Sequence, residues 1–103
     1  MDVLPEHTDK LAGMLSKIGF RLRFCGCDHF LIMNKKGRPT QFEVFDDRIT
    51  VRSEGTSLFG GYGRGGIGFN LRSCDIDYHE DLNFVSVHPK SDKNVFISFY
   101  GND

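Results

Sequence analysis

The sequence predicts an α+β domain, with one N-terminal amphipathic helix packed on a twisted antiparallel sheet of about five to seven strands. Three features carry that expectation: apolar residues at helical spacing near the start, period-two alternation in the segments that follow, and turn-forming residues between those segments. A chain of 103 residues is long enough for one domain and too short for two, so 1–103 is expected to fold as a single unit.

Pro5 suits the first turn of a helix, where its missing N–H costs nothing, and the helix is expected from Glu6 to Lys17. Leu4, Thr8, Leu11, Leu15 and Ile18 recur at steps of three and four, giving one apolar stripe that Ala12 and Met14 widen. Glu6 and Asp9 sit near the positive end of the helix dipole and Lys17 near the negative end. Gly19 is placed to end the helix in the left-handed region. A mid-helix glycine costs about 1 kcal/mol relative to alanine. Close packing on the sheet is the expected reason for Gly13.

Phe20–Cys25 alternates, with Phe20, Leu22 and Phe24 on one face and Arg21, Arg23 and Cys25 on the other. Gly26 and Cys27 interrupt it, and His29–Met33 is the next strand. Asn34–Arg38 reads as a hairpin loop with Gly37 supplying a positive φ. Thr40–Phe45 and Arg48–Arg52 follow, joined by a tight Asp46-Asp47 turn, with Phe42, Val44, Ile49 and Val51 inward. A further strand is expected over Ile67–Arg72, and Ser73–Asp81 reads as a polar loop or a short turn of helix. Leu82–His88 and Asn94–Tyr100 are the last strands, with Val85, Val87, Val95, Ile97 and Phe99 toward the core. The Asn94–Tyr100 strand holds few charges for an edge, which makes a homodimer through it an expectation.

The net charge of −1 argues against a dominant attraction to nucleic acid or an anionic membrane. The charges are nevertheless segregated. Arg21, Arg23, Lys35, Lys36 and Arg38 face only Asp28 across their stretch, and Asp75, Asp77, Glu80, Asp81 and Asp92 face only Lys90 across theirs. Two such patches would either pair with each other or each serve a partner. Cys25, Cys27 and Cys74 are odd in number, and no secretion-signal pattern accompanies them, so free thiols in a reducing cytoplasm are expected. No apolar run approaches the roughly 20 residues of a membrane-spanning helix.

The glycine-rich arm Gly55–Asn70 holds seven glycines among its sixteen residues and is expected to be a mobile rim. Its side chains Leu58, Phe59, Tyr62, Arg64, Ile67 and Phe69 would be partner anchors, with Arg21, Arg23, Lys35, Lys36 and Arg38 beside them. The arm lacks a phosphate-loop signature, and no cofactor is expected. Cys25, Cys27, Cys74 and His79 are a candidate zinc set, since tetrahedral zinc takes four such ligands. A cysteine nucleophile with His29, His79 or His88 has no spacing that selects one pairing. The expected function is therefore a non-enzymatic protein-binding module that joins another protein, as part of a larger complex. Regulators and inhibitors of larger assemblies, small phage-encoded antagonists of host defence among them, have this form. The alternatives are a small nucleic-acid-binding domain, using the basic residues with Arg64, and a small zinc- or thiol-dependent enzyme.

Overall fold

A computed structural model describes residues 4–51 and 68–102, and the molecule is α+β. Helix α1 spans Glu6–Ser16. Eight strands follow, β1 Arg21–Gly26, β2 His29–Met33, β3 Pro39–Phe45, β4 Arg48–Val51, β5 Gly68–Asn70, β6 Cys74–His79, β7 Phe84–Pro89 and β8 Ile97–Tyr100. A 3-10 turn, Leu71–Ser73, separates β5 from β6. The strands form two antiparallel sheets in simple meander order, β1-β2-β3-β4-β5 and β6-β7-β8.

Turn chemistry sets the first sheet. Cys27 and Asp28, and again Asp46 and Asp47, have positive φ at both central positions, the conformation of a two-residue hairpin matched to strand twist. Gly37 has φ 78° in the hairpin between β2 and β3, as its position implies. The register then aligns one apolar row across all five strands, Phe24, Phe30, Val44, Ile49 and Phe69. The stripe of α1 buries Thr8, Leu11 and Leu15 against this system. Ile76, Val85, Val87, Ile97 and Phe99 from the second sheet join the same core. Each fully buried Leu, Ile or Val contributes about 1.5–3 kcal/mol, so this shared core is the main driving force for bringing the two sheets together.

Four expectations are corrected. Ser73–Asp81 contains a strand, β6, because Cys74, Ile76 and Tyr78 alternate inward while Asp75, Asp77 and His79 point out. Its polar composition hid a period of two. Gly13 is exposed, and a Cβ there would meet nothing within 4 Å, so it does not pack closely on a sheet. Val95 lies ahead of β8 and is exposed rather than inward. Phe24 faces the core side opposite Phe30 but is 58% exposed, because β1 is an edge strand.

The helix start is held from outside. Pro5 is its N-cap and supplies no side-chain hydrogen bond. Asp47, in the turn between β3 and β4, supplies it instead: its Oδ1 accepts the Thr8 amide at 2.8 Å and the Thr8 hydroxyl at 2.6 Å. Thr8 therefore sits in an apolar stripe without leaving a buried hydroxyl unsatisfied.

Two outcomes follow for stability. Gly13→Ala raises the free energy of unfolding by about 1 kcal/mol, read from the denaturant midpoint; a decrease would mean the site is packed after all. Asp47→Ala lowers it by roughly 2–3 kcal/mol, and Asp47→Asn by less, since asparagine tolerates positive φ and keeps an acceptor oxygen; equal losses would remove the cap from the account.

Candidate functional site

The four sheet edges differ in how they are protected. An edge strand presents unpaired N–H and C=O groups, and charges, shortness or proline normally blunt it. β1 carries Arg21 and Arg23 and β6 carries Asp75 and Asp77, while β5 is described over Gly68–Asn70, which holds no charge. β8 is four residues long, and no residue from Asn94 to Tyr100 is charged or proline. Among the described residues its far side pairs with no strand. Phe96 is 59% exposed and Tyr100 48%, with Val95 also at the surface.

A cavity of about 370 Å³ lies against that side. Ser98, Phe99 and Tyr100 all line it. Successive strand residues point to opposite faces, so three consecutive lining residues place the cavity along the strand's edge rather than over one face. Phe20, Phe42 and Phe99 form its apolar wall, with Phe99 edge-on to Phe20 at 5.9 Å and to Phe42 at 5.5 Å between ring centroids. The hairpin between β2 and β3 closes one end with Asn34, Lys35 and Lys36. Lys35 Nζ donates to the Gly101 carbonyl and its chain lies over Gly19, where a Cβ would come within 2.7 Å of Lys35 Cγ. With φ 87° as well, Gly19 both ends the helix region and makes room for this lysine. The hydroxyl of Ser98 is buried without a hydrogen-bond partner among the described residues.

The basic residues gather at one end of the first sheet. Arg21 pairs with Met33, the last residue before the hairpin that carries Lys35, Lys36 and Arg38, and Arg23 is two residues along. The two charge patches do not neutralise each other through ion pairs. Among the described residues no lysine or arginine has a carboxylate within 4.0 Å; the pairs present all involve histidine. His88 Nε2 lies 4.0 Å from Asp75 and 3.9 Å from Asp77 on the outer face of the second sheet. On the outer face of the first, His29 Nε2 meets the buried Glu43 at 2.8 Å.

The expected zinc ligands are not gathered. Cys25 and Cys27 are exposed at the end of β1, while Cys74 is buried at the start of β6. His79 stacks on Phe84 at 4.2 Å and meets Ser86 Oγ at 3.0 Å. No group of three or more His, Cys, Asp or Glu among the described residues is arranged to hold a metal. Of the expected arm anchors, Phe69 is in β5, half-buried and packed on the core. Leu58, Phe59, Tyr62, Arg64 and Ile67 lie outside the described residues. No described helix is long and apolar enough to cross a membrane. Compared with known proteins, the chain matches no family model, no curated protein and no solved structure.

The sequence pointed to β8 through its lack of charge and to Lys36 through the basic loop. Nothing in it signalled that Gln41, Phe42 and Ser98 share a cavity with them, because that depends on how the two sheets meet.

Burial raises the Cys74 thiol above the ordinary range, with Asp75 adding to the rise and Lys90 opposing it. Its thiolate is the scarcer nucleophile. A disulfide reagent near neutral pH therefore modifies two thiols quickly and Cys74 slowly; three equal rates would contradict the burial. The native state also holds this proton to higher pH than the unfolded chain does. Stability consequently falls as pH rises past the usual thiol pKa of about 8.5, and falls less in Cys74→Ala.

Proposed function

We propose that this chain is a non-enzymatic protein-binding module that captures an extended segment of another protein along the free edge of β8. The observation that supports this reading is the contrast among edges: β1 and β6 are blunted by charge, whereas β8 is uncharged, follows exposed Phe96, ends on exposed Tyr100, and is open among the described residues. Strand addition supplies main-chain hydrogen bonds for affinity, and adjacent side-chain sites supply specificity. Phe96 and Tyr100, both large and exposed, are the anchors. Phe59, Tyr62, Arg64 and Ile67 of the glycine-rich arm are proposed as a second contact with the same partner. Such a module suits a regulator or inhibitor of a larger assembly.

The cations without a carboxylate partner among the described residues favour a second reading, a nucleic-acid-binding surface built from Arg21, Arg23, Lys36 and Arg38. Phosphate contacts of that kind give an affinity that falls steeply with salt.

The test compares the native chain with a Phe96→Lys/Tyr100→Lys variant, both sites being exposed, after circular dichroism shows that the variant keeps the native fold. A partner captured by the native chain is isolated as a complex and its amide exchange measured. New protection over Ile97–Tyr100, with at least about a tenfold loss of affinity in the variant, is the expected result. Unchanged exchange at β8 and unchanged affinity would sink the reading. Self-association in sedimentation runs that the variant abolishes would make the partner a second copy. Salt-sensitive binding to generic RNA or DNA that ignores the variant would shift the reading to the basic surface.

A further inference from the structure

The cavity beside β8 has a chemistry more specific than an open edge requires. Its apolar wall is aromatic, three phenylalanines meeting edge to face, and that arrangement favours another ring over an aliphatic chain. Its volume of about 370 Å³ falls within the roughly 300–1,000 Å³ typical of sites that enclose a ligand group. Among the described residues no acidic one lines it, and two lysines do. Lys35 is already committed to the Gly101 carbonyl. Lys36 is exposed, with no carboxylate within 4.0 Å among the described residues, so it is the cation left at the mouth.

Resting on the strand-addition reading, we infer that this cavity is the specificity pocket for the added segment and selects an aromatic residue with an acidic residue close by in sequence. The ring packs against the aromatic wall of Phe20, Phe42 and Phe99, and the carboxylate meets Lys36. The backbone of the same segment runs along β8, whose edge the cavity follows. The partner class is therefore an extended acidic-aromatic peptide, as opposed to a basic or purely aliphatic one. The acidic sign comes from the pocket lining and from the neighbouring Arg38, which is exposed on the same hairpin. A symmetric β8-to-β8 pairing of two copies fits poorly in this respect, because β8 and its approach, Asn94–Tyr100, hold aromatic residues but no acidic one.

The experiment selects a phage-displayed library of random dodecapeptides on the full chain and measures enriched peptides as synthetic ligands. The expected peptides place Phe, Tyr or Trp within two residues of Asp or Glu. They bind Lys36→Glu about tenfold or more weakly and Lys36→Arg within about twofold, because the contact at an exposed cation needs charge more than shape. They also fail to bind the Phe96→Lys/Tyr100→Lys chain. Peptides that depend on β8 but lack the aromatic-acidic signature, or ignore Lys36→Glu, overturn the pocket and leave strand addition standing. Peptides that ignore the β8 substitutions overturn strand addition and the pocket with it, and so does a selection that enriches nothing.

Discussion

The Asp47 carboxylate accepts two hydrogen bonds from Thr8, and the Asp47 backbone carbonyl accepts the Leu71 amide at 2.8 Å. One residue in a two-residue turn thus ties the start of α1, the turn between β3 and β4, and the entry to the second sheet. A helix beginning at proline has no side-chain cap of its own, and its first amides need acceptors. A carboxylate at that end also meets the positive pole of the helix dipole. The geometry holds α1 over the core, where it packs against β6, β1 and the turn Leu71–Ser73. The Lys17 ammonium over the Tyr78 ring, at 5.5 Å, adds a contact at the other end.

With the helix fixed on one side, the two sheets meet with their edges unequally covered. The hairpin between β2 and β3 reaches the end of β8 through Lys35 and the Gly101 carbonyl. That contact closes one end of the gap between β3 and β8 and leaves a cavity along the rest. The open edge and the cavity are thus one consequence of how the core closes. The cross-strand stack of His79, Phe84 and Tyr100 on the outer face, at 4.2 and 5.1 Å between rings, stiffens β8 without covering its edge. An ordered edge strand beside a preformed pocket loses little freedom when it takes up an extended segment.

Much of the fold was legible because local rules and the global arrangement agree. The stripe of α1 from Leu4 to Ile18, the Asp46-Asp47 turn, the Gly37 hairpin and the stop at Gly19 all state their own structure. The strand Cys74–His79 was not legible, since three polar outward residues masked the inward Cys74, Ile76 and Tyr78. Thr8 in an apolar stripe signalled a buried polar contact, but its partner lies 39 residues away and no local pattern names it. The division into two sheets was equally hidden, being set by long-range packing. The candidate site was half legible. An uncharged run over Asn94–Tyr100 marks an exposed edge in any arrangement, whereas the cavity exists only where Phe20, Phe42 and Phe99 converge. The glycine-rich surroundings of Phe69 suggest exposure, while its register opposite Ile49 sets it against the core, half-buried.

The central functional claim is that β8 offers backbone groups that no other described residue occupies. Residue-resolved amide exchange on the free protein measures this most directly. In an antiparallel pair alternate residues bond to the neighbouring strand, so the four amides of Ile97–Tyr100 should alternate between slow exchange, where they donate to β7, and fast exchange on the open side. Uniformly slow exchange across all four in the monomer would mean that another part of the chain already covers the edge, and the account of strand capture would fail.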